Sequence, residues 1–185
     1  RRTGLSDGDG SSVMELPVSF AEDDGPDLDD VLVHAAMKRD EFVRLIAETS
    51  LRARFSGFRP GFAYLEGVPE RLRLPRRPTS RAAVPAGSFA VAGEMAAFYP
   101  AAGPGGWNLV GRTDLALWDE GRDPPNLIGP GDLVRIIPVP RLASAFANPP
   151  ARASSGRPIL GGIVATNRSG PRRMLYGTAR DLLLG

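Results

Sequence analysis

The sequence predicts a mainly β protein: a small β-barrel or sandwich with two short helices on its amino-terminal side. Three observations predict it. First, residues 57–112 place glycine or proline at nearly every point where the backbone must turn, as in GFRPGFAYLEGVP, VPAGS and GPGGW; inside a helix each would cost about 1–3 kcal/mol. Second, short apolar runs recur between these turns at roughly the eight-to-twelve-residue spacing of a barrel or sandwich. Third, helical periodicity is confined to residues 27–48.

Taken in order, residues 1–13 are rich in Gly, Ser and Asp and read as a linker. ELPVSF at 15–20 suits a strand, and residues 22–26 form an acidic, glycine-containing turn. Asp27 is the expected cap of a first helix, with Asp29 and Asp30 in the turn where negative charge suits the helix dipole. Leu28, Val31, Leu32 and Ala35 follow at helical spacing, and His34 beside them is expected to be a partly buried structural residue. A second helix is expected over residues 39–48, capped by Asp40, with Phe42, Leu45 and Ile46 on one face, so that the pair makes a short helical hairpin. Strands are then expected at 53–55, 63–65, 88–92, 107–110, 116–118 and 133–139, the last fed by a turn at Pro130-Gly131-Asp132. The division is a linker at 1–13, a barrel at 14–140 and an irregular appendage at 141–185.

With 42% hydrophobic and 24% charged residues, the composition is that of a folded soluble chain and argues against disorder. The absence of cysteine excludes a disulfide framework and a thiolate metal site. A single histidine, His34, excludes a zinc site built from histidines, and a Ser-His-Asp triad unless His34 is its base. Lys38 is the only lysine. The arginine bias is either compositional or a means of recognising anions, since guanidinium pairs bidentately with carboxylate or phosphate. No basic stripe with interleaved aromatics suggests nucleic-acid binding. No apolar run approaches the roughly 18 residues of a membrane span. No signal-peptide pattern precedes Met14, and a cytoplasmic location is expected.

The candidate anion site is the cluster Arg76, Arg77 and Arg81 beside two prolines; the alternative is that these arginines close strand ends at the surface. Tyr99 and Trp107 flank glycine turns and are candidate pocket walls, although Trp107 equally suits the core. Arg112, between Gly111 and Thr113, is a further candidate. Phe58, Phe62 and Tyr64 are expected to pack the barrel. Asp132 and Glu94 are possible general bases, yet neither has an acid partner at readable spacing, so the catalytic residues stay open. The chain reads as a non-autonomous subunit.

These residues carry a resemblance. Gly57-Phe58, Pro60-Gly61-Phe62, Tyr64-Leu65, Pro75-Arg76, VPAGS at 84–88, Tyr99-Pro100, PGGW at 104–107, GRT at 111–113, Pro124-Pro125 and PGD at 130–132 stand in one order. In that order the region resembles the family that includes the B component of bacterial ATP-dependent 5-oxoprolinase, the sporulation kinase inhibitor KipI and subunit 1 of the allophanate hydrolases. These are related to part of the carboxyltransferase domain of urea carboxylase. The resemblance implies a cyclophilin-like barrel working inside a larger assembly. It implies a part, at an interface with subunits A and C, in opening 5-oxoproline to glutamate with ATP hydrolysis. The alternative it carries is a KipI-like inhibitor that docks on a sensor histidine kinase. No cofactor is expected to be bound by this chain alone, and ATP enters at the level of the complex. Three positions depart from the pattern: Ile46 where a histidine is usual, Gly103 in place of a serine, and Asp114 in place of a proline.

The tail differs. Gly161-Gly162, Ala165, Asn167, SGPRR at 169–173, Gly177 and Arg180-Asp181 resemble the FAD-binding domain of the glycolate oxidase E component. A Gly-Gly turn lets backbone amides approach a diphosphate. Only part of that domain's signature is present, and FAD binding is not expected.

Overall fold

A computed structural model describes residues 13–140. The elements run β1 (Val13–Ser19), α1 (Leu28–Ala35), α2 (Arg39–Glu48), β2 (Ser50–Ser56), β3 (Ala63–Glu66), a 3-10 turn (Glu70–Leu72), β4 (Arg81–Val84), β5 (Ser88–Ala92), β6 (Met95–Phe98), β7 (Gly103–Gly105), β8 (Asn108–Arg112) and β9 (Leu133–Val139). Seven strands close a barrel in the order β1-β8-β5-β6-β3-β2-β9, and β4 and β7 pair separately. Closure is made by a parallel pairing of β1 with β9, in register from Val13↔Leu133 to Ser19↔Val139.

Alternation along the strands sorts side chains between two clusters. Leu16, Leu65, Phe89, Val91, Phe98 and Ile136 belong to the main core, which Leu28 and Val31 of α1 and Phe42 and Ile46 of α2 complete from outside. Burying Phe42 and Ile46 fully stabilises the fold by about 1.5–3 kcal/mol each. The opposite face of β5, at Ala90 and Ala92, belongs to a second cluster with Phe62, Val84, Tyr99 and Trp107. This explains the unbroken apolar run SFAVA: β5 is covered on both faces. The two helices follow one another closely, α1 packing on β8 and α2 on β9.

The closed, mainly β architecture with two helices is the one expected, and several details differ. Residues 116–118 do not form a strand; Trp118 makes one isolated bridge to Asn126 while Leu115 and Leu117 fill the main core. Their alternation records a loop pressed on the barrel, with no neighbouring strand to form a ladder. Three strands were not expected: β4 (RAAV), β6 (MAAF) and β7 (GPG), whose residues have low β-propensity and are held by their neighbours. The N-cap of α2 is Lys38, which places Asp40 inside the first turn. His34 is exposed. Phe58 is 59% exposed at φ 66°, whereas Phe62 is buried in the second cluster with Tyr64 packed against it, as expected.

Candidate functional site

Asp27 organises the site from beneath. Its backbone N–H donates to the Leu109 carbonyl (2.9 Å), and its carboxylate accepts from the Leu109 N–H (2.7 Å). Although Asp27 occupies the N-cap position of α1, its side chain makes no capping bond and turns toward β8 instead. The carboxylate, 2% exposed, accepts two parallel bonds from Arg81 (2.7 and 2.9 Å) and one from Nη1 of Arg77. A buried carboxylate is tolerable only when paired and hydrogen-bonded in this way. Two arginines of the sequence-predicted cluster therefore place their charge on Asp27. Arg76, between Pro75 and Arg77, is exposed and carries its guanidinium carbon 5.8 Å from the Trp107 ring centroid.

Trp107 belongs to an aromatic wall centred on Phe62. Edge-to-face contacts join Phe62 to Phe58 (5.2 Å), Tyr64 (5.0 Å), Tyr99 (5.3 Å) and Trp107 (6.1 Å), and Phe55 stacks on Tyr64 at 4.5 Å. Phe62, Tyr99 and Trp107 are buried, whereas Phe55 and Phe58 reach solvent. Burial pushes the Tyr99 phenol above its usual pKa, against the pull of Arg76, the Trp107 backbone and Arg59.

Arg59 was not singled out by sequence reasoning, and the signal was its place inside GFRPGF, between an aromatic and a proline. Its guanidinium carbon lies 4.9 Å from the Phe58 ring centroid, and Nη1 donates to the carbonyls of Ala101 and Ala102 at 3.0 Å each. Glycine in β7 makes this possible. A Cβ on Gly103 would overlap the Arg59 guanidinium, and one on Gly105 would overlap the Tyr99 hydroxyl. The structure thus brings Arg76, Tyr99 and Trp107 together with Arg59.

Arg112 stands elsewhere, at the end of β8 away from Trp107. Its Nε donates to the Ala86 carbonyl (3.1 Å). Nearby Asp114 is raised above the usual carboxylate pKa by burial and by Asp24, while Arg112 opposes the rise.

The two possible bases are otherwise engaged. Asp132 accepts from the Gly129 N–H (2.7 Å) in the turn before β9, and Glu94 pairs at the surface with Arg73 (3.6 Å). An open groove of about 900 Å³ runs past Arg52, Arg54, Glu66, Arg73 and Glu94. There Arg54 is paired with Glu66 at 2.6 Å, as Arg73 is with Glu94. Among the described residues no group of three or more His, Cys, Asp or Glu is placed to hold a metal, and no helix is long and apolar enough to cross a membrane.

Comparison with known proteins adds the family. Residues 4–128 match the family described as carboxyltransferase domain, subdomain C and D. The chain is 44% identical over 128 residues to the 5-oxoprolinase B component of Escherichia coli O157:H7, covering 69% of this chain and 59% of that one. To the 5-oxoprolinase B component of Bacillus subtilis it is 35% identical over 125 residues, 68% and 52% of the two lengths. The chain thus spans between half and three-fifths of the length of these relatives. Among solved structures, a conserved uncharacterized protein of Pyrococcus horikoshii superposes with a TM-score of 0.66 at 37% identity, covering 69% of this chain and 59% of the other. The urea amidolyase of K. lactis shares the fold at 23% identity, with a TM-score of 0.55 over 70% of this chain and 10% of its own. The tail signature lies outside the described residues. On the strength of the matched segment and the curated relatives, this chain belongs to the family of carboxyltransferase-domain subdomains C and D.

Proposed function

We propose that the chain is a subunit of a 5-oxoprolinase-type complex, in which 5-oxoproline, ATP and water give glutamate, ADP and phosphate. The observation that carries this reading is the 44% identity to a 5-oxoprolinase B component. Arg76, Tyr99 and Trp107 contribute an anion-binding corner to a site shared with subunits A and C, while Arg77 and Arg81 hold the supporting segment on Asp27. Arg112, at the far end of β8, faces a second contact of the same interface. ATP binds on the other subunits, and neither ATP nor FAD is bound by this chain alone. The complex works in the cytoplasm.

The test is co-purification of this chain with subunits A and C, followed by 5-oxoproline-dependent ATP turnover. The expected result is a stable complex whose turnover needs the chain; turnover indifferent to it would contradict the reading. The exposed Phe55 and Phe58 rings favour a second reading, docking on a histidine kinase in the manner of KipI. Kinase autophosphorylation that excess chain does not inhibit would remove it.

A further inference from the structure

We propose that the charged groove on the outer face of β9, β2, β3 and β6 is the docking site of the chain's own leading segment, residues 3–12, with Asp9 on Arg52 and Asp7 on Arg73. The groove is thereby filled from within the chain. The contact is independent of the functional reading above.

One cross-strand row leads from the segment to the groove. Val13, where β1 begins, pairs with Leu133 of β9. Leu133 pairs with Arg52 of β2, Arg52 with Glu66 of β3, and Glu66 with Met95 of β6. Leu133, Arg52, Glu66 and Met95 all line the groove, so the residues before Val13 start at its rim. Neighbouring strands lie about 4.8 Å apart, which sets Arg52 about 10 Å and Met95 about 19 Å from Val13 along the wall. Asp9 stands four residues before Val13 and reaches up to about 14 Å; Asp7 stands six before it and reaches up to about 21 Å. The nearer acid thus spans to Arg52, and the farther one to Arg73, which faces Glu94, the residue before Met95. Gly8 and Gly10, beside the two acids, let the backbone turn off the line of β1 and cross the strands.

Charge selects this occupant. The groove sets three guanidiniums, those of Arg52, Arg54 and Arg73, against the two carboxylates of Glu66 and Glu94. Arg54 and Glu66 satisfy one another at 2.6 Å. Arg73 is aimed by its Nε, which donates to the Val68 carbonyl (3.0 Å). Its Nη1, however, stands 3.6 Å from a Glu94 that is 79% exposed, too far for a hydrogen bond. A better-placed carboxylate replaces that one at little cost. Residues 3–12, TGLSDGDGSS, bring two carboxylates and no cation. Gly67 leaves the groove floor bare at φ 102°, where a Cβ would lie 2.9 Å from the Ser50 carbonyl.

The test is paramagnetic relaxation in the full chain. The sequence has no cysteine, so Ser6→Cys takes a single nitroxide label beside Asp7. The amide signals of Gly67, Glu94 and Met95 are expected to broaden, and reduction of the nitroxide to restore them. Amide positions elsewhere in the barrel report that each variant is folded. Asp7→Asn combined with Asp9→Asn lowers the ratio of docked to undocked segment by about two- to thirtyfold, as loss of two exposed ion pairs implies, and the signals sharpen. Salt at about 1 M, where the screening length falls to about 3 Å, acts in the same direction. The two sides of the groove give opposite signs. Arg73→Gln weakens the broadening, whereas Glu94→Gln removes the competing carboxylate and strengthens it. Broadening confined to the neighbours of Val13, broadening indifferent to the paired asparagine change, or Glu94→Gln acting in the same direction as Arg73→Gln would each overturn the proposal.

Discussion

Asp27 takes up both backbone polar groups of Leu109, its N–H donating to the Leu109 carbonyl and its carboxylate accepting the Leu109 N–H. The contact extends the edge of β8 beyond its pairing with β1, whose register is Ser19↔Arg112. The same carboxylate then anchors Arg77 and Arg81, so one side chain ties α1 and β8 to the segment that carries Arg76. Asp27→Asn keeps an acceptor for Leu109 but leaves the two guanidiniums without their counter-charge. Because both arginines retain some solvent, the expected loss is about 2–4 kcal/mol of unfolding free energy. A urea-denaturation midpoint equal to wild type would contradict this role.

Gly105 has ordinary backbone angles, so its replacement is a test of space alone. In Gly105→Ala the new methyl meets the Tyr99 hydroxyl, which must withdraw from the wall. The expected cost is about 1–3 kcal/mol, accompanied by a changed near-ultraviolet circular dichroism signal from Tyr99 and Trp107. Both should be unchanged if the hydroxyl does not lie against β7.

Phe58→Gly tests whether the exposed ring contributes to packing. Relief of the left-handed φ is offset by glycine's added chain entropy and by loss of the contact with Arg59. Stability is expected to stay within about 1 kcal/mol of wild type, far from the ~3–5 kcal/mol of deleting a core phenylalanine. A large loss of stability would mean that Phe58 is a packing residue after all.

Two groups give opposite ends of the pH scale. Asp114 has its pKa raised above the usual 3.8, chiefly by burial. A raised folded-state value favours the protonated form, so its contribution is fully present below the unfolded pKa and is lost as pH rises through the folded one. Asp114→Asn should therefore gain on wild type as pH climbs from below 3.8 toward neutrality, in paired denaturation curves. Tyr99, raised above 10.0 chiefly by burial, contributes stability that is lost at alkaline pH by the same sign. Tyr99→Phe should lack that alkaline step, whose persistence in the variant would assign it to another group.

Local signals carried far in this chain. The 3.6-residue spacing marked both helices at the observed boundaries, residues 28–35 and 39–48, because Leu28, Val31 and Ala35 of α1 and Phe42 and Ile46 of α2 are buried on one side of each helix. The β5 and β9 segments were equally legible as apolar runs bounded by turns. MAAF and GPG were not, since alanine and glycine form strands there only because β3, β5 and β4 lie beside them. The site shows the same limit. The cluster of Arg76, Arg77 and Arg81 was visible, but the partner of Arg81 lies 54 residues away, and no spacing rule reaches Asp27. Arg59 escaped notice because its partners Ala101 and Ala102 offer only backbone carbonyls.

The most direct measurement is glutamate formed from 5-oxoproline and ATP by subunits A and C, with this chain present, omitted or replaced by its Arg76→Gln variant. The account predicts glutamate only when the chain is present, and at least about tenfold less at low 5-oxoproline with the variant. Equal glutamate with and without the chain would contradict it.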